Sequence, residues 1–155
     1  MKLLKTFLVI SLFGLCIGVK AESIDAAKSV DIVVYRSPSC SCCGEWLQHL
    51  KKNNFNVNDI VTDDVQAIKN KYGVADSMAS CHTALVGGYV VEGHVPANDI
   101  IKLLKTKPKI VGIAVPGMVS GTPGMEVGDK KDAFNVISFD KENHTAVFNS
   151  YEGAK

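Results

Sequence analysis

Apolar and polar positions recur along the chain with periods that predict a mixed α/β fold. A continuous apolar run at residues 32–35 is typical of a buried strand. Residues 55–61 alternate apolar and polar, as a half-exposed strand does. Between these two segments, Trp46 and Leu50 fall on one face of a helix predicted over residues 43–52. The pattern therefore starts as strand, helix, strand.

The same two periods continue through the middle of the chain. Apolar side chains recur at helical spacing over residues 65–72. Residues 84–86 and 89–91 predict a tight hairpin, because two glycines separate them. Residues 100–104 carry the apolar stripe of a third helix. The order strand, helix, strand, helix, strand, strand, helix predicts a thioredoxin-like α/β sandwich.

The C-terminal third has a different composition. Residues 107–128 are rich in glycine and proline, so they predict a shaped loop that contains a short apolar piece at residues 110–115. Met118 and Met125 also lie in this loop. Residues 134–148 predict a β-hairpin. We therefore expect a thioredoxin-like domain that is extended, from about residue 107, by a Gly/Pro/Met loop and a hairpin.

The first 21 residues have the pattern of a secretory signal peptide. A basic start precedes an uncharged run at residues 6–19, and Val19-Lys20-Ala21 fits a small-x-small cleavage site. The run is shorter than the ~20 residues that span a bilayer, which favours a cleaved signal over an anchor. We expect one exported domain, residues 22–155, with no membrane contact once the signal is removed.

The charge of the exported domain argues against one class of partner. The chain has 17 basic and 16 acidic residues, and loss of Lys2, Lys5 and Lys20 changes the formal net charge from +1 to −2. Domains that bind nucleic acid carry clustered positive charge. No nucleic-acid partner is expected.

Three of the five cysteines fall in the sequence SCSCCG at residues 39–44. This loop joins a predicted strand to a predicted helix, and the helix N-terminus favours thiolate over thiol. Thiolates bind soft metals and attack disulfides. Cys42 adds a third sulfur to the Cys40–Cys43 C-x-x-C pair, which favours a metal site because a dithiol couple needs only two. Redox catalysis by Cys40 and Cys43, or a structural disulfide, stays open.

Other soft ligands are expected to join these cysteines. In a thioredoxin-type fold, the loop that enters the third strand faces the start of the C-x-x-C helix, which puts Cys81 and His82 there. His94 precedes the third helix at the same edge, and imidazole suits copper. Met118 and Met125 lie where there is little core to fill, and a thioether is a soft ligand for Cu(I). The candidate metal ligands are Cys40, Cys42, Cys43, Cys81, His82, His94, Met118 and Met125.

Each of these residues also has an ordinary structural explanation. Cys81 can fill a small buried position at a strand start, and methionine usually fills gaps in a core. His82 and His94 can be solvated loop residues. The remaining histidines, His49 and His144, are expected at the surface.

Four separated motifs resemble those of the CopG-type copper-resistance proteins, small exported thioredoxin-like metal-binding proteins of bacteria that were long catalogued as a domain of unknown function. The motifs are SCSCCG at 39–44, SCHTA at 80–84, EGHVPA at 92–97, and GIAVPGM at 112–118 with TPGME at 122–126. The resemblance covers about residues 31–151. It implies copper handling in the periplasm at a cysteine-rich copper site, with Cu(I)/Cu(II) redox chemistry.

Two functions from different classes follow from these residues. The first is a copper-binding protein for copper resistance and homeostasis, in which bridging thiolates could hold several copper ions. Its mixed sulfur and nitrogen ligands would permit change between Cu(I) and Cu(II), as in a copper oxidoreductase. The second is a thiol–disulfide oxidoreductase with Cys40 as nucleophile and Cys43 as resolving thiol. A chaperone that passes copper to other periplasmic copper-handling proteins would use the same ligands.

Overall fold

The computed structural model describes residues 29–126 and 128–154. The signal peptide expected at residues 1–21 lies outside the described residues. Among the helices that are described, none has both the length and the apolar character needed to cross a bilayer.

The described chain forms one mixed sheet. Its strands are β1 (Val30–Arg36), β2 (Phe55–Val61), β3 (His82–Val86), β4 (Tyr89–Glu92), β5 (Gly112–Ala114), β6 (Phe134–Phe139) and β7 (Thr145–Tyr151). They lie in the order β2-β1-β3-β4-β5-β6-β7. The pairs β1–β2 and β4–β5 are parallel, and the other neighbours are antiparallel. The predicted mixed α/β class is confirmed.

The helices are α1 (Ser41–Lys52), α2 (Val65–Lys71) and α3 (Ala97–Thr106), with a short 3₁₀ turn at Asp76–Met78. Helices α1 and α3 cover one face of the sheet, where their apolar stripes meet alternate residues of the strands. Helix α2 packs against β1 and β3 on the other face. Successive residues of each strand therefore point to opposite faces of the sheet and contact different helices.

Trp46 is the largest side chain at the centre of the core. It is fully buried, and its indole N–H donates to the carbonyl of Val95 at 2.9 Å. A buried indole needs such an acceptor, because an unpaired N–H away from water is costly. This hydrogen bond joins α1 to the loop that leads into α3.

Strand β5 connects the C-terminal extension to the sheet. The sequence predicts a loop across residues 107–128, but residues 112–114 pair with β4. Gly112 permits this pairing, since a Cβ at that position would lie 2.1 Å from the carbonyl oxygen of Val90. A three-residue strand that begins with glycine is too short to show the alternation of apolar and polar residues by which strands are predicted from sequence. The hairpin of β6 and β7 thereby continues the same sheet.

A buried carboxylate holds the end of that hairpin against α3. Asp99 accepts hydrogen bonds from Asn149 Nδ2 at 2.8 Å and from the Tyr151 hydroxyl at 2.6 Å. Burial and the neighbouring Asp99 raise the pKa of Tyr151 to about 12, so the phenol remains a donor. The extension is thus anchored at both β5 and β7.

His49 is half-buried and does not lie at the surface as the sequence led us to expect. Its Nε2 accepts the backbone N–H of Ala97 at 3.0 Å, at the first residue of α3. The first N–H groups of a helix have no partner inside the helix, and the preceding Pro96 has no polar side chain to supply one. Burial lowers the pKa of His49 below its usual value, which keeps the ring neutral and able to accept.

Replacement of His49 should change both the stability and its dependence on pH. The change His49→Phe leaves the buried Ala97 N–H unpaired and should reduce the free energy of unfolding by about 1–3 kcal/mol at pH 7.5. His49→Gln places an amide oxygen near the position of Nε2 and should lose less. Urea denaturation of the three proteins measures these differences.

The pH dependence follows from the lowered pKa of His49 in the folded protein. The neutral His49 ring contributes its full stabilisation of the fold above pH about 6.5, which is the pKa of histidine in the unfolded chain. This stabilisation is lost as the pH falls from that value towards the lower pKa of His49 in the folded protein. The wild-type protein should therefore lose more stability between pH 7.5 and pH 5 than His49→Gln does. Parallel stability curves for the two proteins would contradict this assignment.

Candidate metal centre

The four cysteines of the described chain meet at one edge of the sheet. Cys40 caps α1, Cys42 and Cys43 lie in its first turn, and Cys81 directly precedes β3. The antiparallel register of β1 with β3, in which Arg36 pairs with His82, brings the start of β3 beside the end of β1. The sulfur atoms of Cys40, Cys42, Cys43 and Cys81 consequently lie within 4.8 Å of one another. The proximity expected from the predicted topology is present.

Two of these sulfurs form a disulfide. Cys40 and Cys43 are bonded across the first turn of α1, whereas Cys42 and Cys81 are free thiols. The Cys42 sulfur lies 3.6 Å from that of Cys40. The sequence left the state of the C-x-x-C pair open. In this state the cluster offers two thiols, and a two-electron reduction would supply two more.

The two histidines complete a second group of donors around the same thiol. Cys81 Sγ lies 3.2 Å from Nδ1 of His82 and 3.2 Å from Nε2 of His94. One ligand atom from each of these three residues fits within a 4.8 Å separation. Cys81 thus belongs both to the group of four sulfurs and to this mixed group of sulfur and nitrogen.

The ring of His94 is oriented by the C-terminal extension. Its Nδ1 lies 2.7 Å from the carbonyl oxygen of Pro123. A carbonyl only accepts, so Nδ1 carries the proton and the lone pair of Nε2 faces Cys81. A backbone carbonyl that fixes the far nitrogen is the usual outer partner of a metal-ligating histidine. Burial lowers the pKa of His94, which favours the neutral ring that can bind a metal.

His82 is the most buried donor of the group. Its ring packs on Trp46 with 4.3 Å between the ring centroids. Burial and the neighbouring His94 lower the pKa of His82 well below its usual value, so the imidazole is neutral. Its Nε2 has no hydrogen-bond partner among the described residues. The nitrogen that faces the Cys81 thiol is the other one, Nδ1, at 3.2 Å from the sulfur.

Cys81 stays protonated while no cation is near. Burial is the main cause that raises the pKa of Cys81 to about 11, and the nearby Cys42 adds to the rise. The thiol can therefore donate its proton to Nε2 of His94. A metal ion would reverse this preference, because it binds the thiolate and releases the proton.

The two candidate methionines lie on the loop that borders the cysteines. Gly117 donates to the carbonyl of Ala79 at 3.1 Å, so this loop runs beside the segment that precedes Cys81. A Cβ at Gly124 would lie 2.6 Å from the backbone nitrogen of Trp46, which places the other end of the loop against α1. Met118 is 57% exposed at the rim, and Met125 is partly buried. The structure brings the cysteines and histidines together and leaves the methionines on the adjacent loop.

A buried group of polar residues beneath the site was missed in the sequence. Glu92 is fully buried and Lys69 is 5% exposed, and the two form an ion pair. The Glu92 carboxylate also accepts from the Thr83 hydroxyl and from the Ser80 backbone N–H, each at 2.7 Å. Glu92 ends an otherwise apolar strand, which is a signal that could have been noticed. Lys69 looks like any helix-surface lysine in the sequence.

The chemistry of the donors fits a soft metal ion. The two groups consist of thiol sulfur and imidazole nitrogen. Such ligands select Cu(I) or Zn over hard cations, which prefer oxygen. Mixed sulfur and nitrogen ligation also suits Cu(II).

One part of the chain matches a known protein family. Residues 78–125, which contain Cys81, His82 and His94, match the family described as "Protein of unknown function, DUF411". None of the curated proteins matches the chain.

Two solved structures are similar to most of the chain. "Copper resistance protein copG- Form 1" is 46% identical with a TM-score of 0.77, over 81% of this chain and 99% of that chain. "Copper resistance protein copG- Form 2" is 46% identical with a TM-score of 0.76, over 79% of this chain and 98% of that chain. Identity at this level across almost the whole of each solved chain shows that the protein belongs to the CopG-type copper-resistance family.

Proposed function

We propose that the protein is an exported copper-binding protein of copper resistance and homeostasis, and that it holds copper at the Cys/His cluster. The observation that carries this proposal is the position of Cys81. Its sulfur lies 3.2 Å from a nitrogen of His82 and of His94 and within 4.8 Å of three other sulfurs. Soft donors from three separate parts of the chain thus meet around this one sulfur, which is the arrangement that a soft metal ion requires.

Copper is favoured over zinc by two further features. Met118 and Met125 lie on the loop beside the cluster, and thioethers bind Cu(I) whereas zinc sites use cysteine, histidine and carboxylate. The two similar solved structures are both named as copper-resistance proteins. We therefore assign copper as the cargo, with Met118 and Met125 as additional ligands.

The shared thiol supports a site for more than one ion. Cys81 belongs to the four-sulfur group and to the group with His82 and His94. A thiolate can bridge two metal ions, as in metal–sulfur clusters. Reduced protein would thus bind a first ion among sulfurs and a second between Cys81 and the imidazoles.

The disulfide supports a change between Cu(I) and Cu(II) at this site. Reduced Cys40 and Cys43 can give two electrons to two Cu(II) ions, with formation of the disulfide and release of two protons. The disulfide form still offers Cys42, Cys81 and both imidazoles, a mixed set that suits either oxidation state. A copper oxidoreductase is the enzymatic form of this proposal.

The fold type and the compartment belong to the same proposal. The order β2-β1-β3-β4, with α1 directly after β1, supports the thioredoxin-like assignment. The signal pattern at residues 1–21 supports export to the periplasm as a domain of residues 22–155. Copper ions, and other periplasmic copper-handling proteins, are the partners we propose.

A thiol–disulfide oxidoreductase is the second candidate, because Cys40 and Cys43 are bonded at the start of α1. Cys40 is partly exposed and Cys43 is buried, as expected for a nucleophile and a resolving thiol. Cys42 argues against this function. Its sulfur lies 3.6 Å from Cys40 and would compete as a resolving thiol.

Reduced protein that begins at residue 22 should bind at least one equivalent of Cu(I) per chain in competition with a chromophoric Cu(I) chelator. Cys40→Ser/Cys43→Ser should weaken this binding by at least tenfold, because it removes two of four converging sulfurs. Cys81→Ser should reduce the number of bound ions, because both donor groups lose their shared atom. Ser41→Ala, an exposed change at the first residue of α1, should bind as the wild type does. Unchanged affinity in the double serine variant would refute the copper site.

Thiol counting and a disulfide-exchange assay separate the two candidate functions. The unfolded protein from residue 22 should show two reactive thiols before reduction, from Cys42 and Cys81, and four after it. The metal-free reduced protein should turn over insulin disulfides no faster than Cys40→Ser does. Turnover that requires Cys40 and Cys43, and that Met118→Leu leaves unchanged, would favour the oxidoreductase.

A further inference from the structure

We infer that the buried Glu92, together with Lys69 and Thr83, is a positioning group for the metal centre. It fixes the segment that carries Cys81 and His82 against the segment that carries His94. The inference rests on the proposed function, since it concerns how the proposed ligands are held.

The hydrogen bonds of Glu92 converge on one short segment. One carboxylate oxygen accepts from the Ser80 backbone N–H at 2.7 Å, and the other accepts from the Thr83 hydroxyl at 2.7 Å. Lys69 donates to the first of these oxygens and to the Thr83 hydroxyl at 3.1 Å. Ser80 and Thr83 flank Cys81 and His82, so the Glu92 carboxylate is hydrogen-bonded to both ends of the ligand-bearing segment. We refer to Lys69, Ser80, Thr83 and Glu92 as the clamp.

The clamp also acts on His94, which lies two residues beyond Glu92. The intervening Gly93 donates to the carbonyl of His82 at 3.0 Å. A Cβ at Gly93 would lie 2.6 Å from atoms of Ser80 and from the carbonyl oxygen of Val115. The turn is thus packed against the clamped segment. Movement of the Glu92 carboxylate would therefore shift Cys81 and His94 relative to each other.

The side chains of Lys69, Thr83 and Glu92 occupy the face of the sheet opposite to the ligand rings. His82 points to α1, where it packs on Trp46, and Thr83 points to α2, where it meets Lys69. Successive residues of a strand alternate in this way. The charged side chains of the clamp therefore lie on the face of the sheet away from the proposed metal, and they do not compete with the ligands for it.

Stability alone is a poor reason for this arrangement. Removing a lysine and a glutamate from water is costly, and well-packed apolar residues often replace a buried ion pair with no loss of stability. The benefit that we propose lies in the hydrogen bonds by which the Glu92 side chain fixes Ser80 and Thr83. Geometry matters for a metal site, where misdirected ligands weaken binding.

The test compares two double variants that both lack the charged pair. In Lys69→Met/Glu92→Gln, the introduced amide can still accept from Ser80 and donate to Thr83, so the hydrogen bonds to the ligand-bearing segment are kept without charge. In Lys69→Met/Glu92→Leu these hydrogen bonds are lost. Cu(I) affinity by chelator competition should stay within about twofold of wild type in the first and fall at least tenfold in the second. The absorption spectrum of bound Co(II) should change only in the second.

Asp99→Leu is the matched control for general destabilisation. Asp99 is also a buried carboxylate, but its side-chain bonds are to Asn149 and Tyr151 on β7. The Asp99→Leu variant should unfold at a lower urea concentration than the wild type and should keep its Cu(I) affinity within about twofold of the wild-type value. An equal loss of affinity in Asp99→Leu would overturn the clamp. Equal losses in the two double variants would also overturn it, because charge would then be the cause.

A metal-free measurement separates this inference from the proposed function. In the reduced wild-type protein, the ¹⁵N shift of His94 Nε2 should report its contact with the Cys81 thiol, and the leucine double variant should lose that contact. Wild-type protein that fails to bind Cu(I) would end the proposed function, and the ¹⁵N comparison would still decide the inference. Unchanged ¹⁵N shifts in the leucine double variant would overturn the clamp.

Discussion

The pairing of β1 with β3 is the constraint on which the whole site depends. Its register sets Arg36 opposite His82, so the chain leaves β1 into the cysteine loop at the point where Cys81 enters β3. The register also decides which face each residue occupies. A slip by one residue would exchange His82 with Thr83. The imidazole would leave the cysteines, and the hydroxyl would leave the buried carboxylate.

Burial then sets the charge of the donors that this pairing collects. It lowers the pKa of His82 and His94 and raises the pKa of Cys81 to about 11. All three side chains are consequently neutral near pH 7, and they can pack together without like-charge repulsion. A cation that binds there must displace a proton from sulfur, which couples its affinity to pH. Neutral donors held together in this way need little rearrangement to bind.

The sequence was informative wherever a local pattern carries the information. The helical stripe with Trp46 and Leu50 and the alternation over 55–61 placed α1 and β2, and element order alone predicted that Cys81 would lie near the C-x-x-C pair. Other features depend on contacts between distant residues, which leave no period. His49 accepts from Ala97, 48 positions away, and Lys69 meets Glu92 across 23 positions. Such pairs become visible only when the chain is folded.

The C-terminal extension belongs to the site as much as to the sheet. The Pro123 carbonyl orients His94, and Gly124 lies against the first turn of α1, so the loop contacts both a candidate ligand and the cysteine-bearing helix. Exposure falls along the candidate ligands, from Met118 at the rim to the partly buried Cys42 and the fully buried His82. Under the proposed function, an incoming copper ion would meet soft ligands at every depth. Each exchange would replace one soft donor by another, so the ion would never be left bare in an apolar interior.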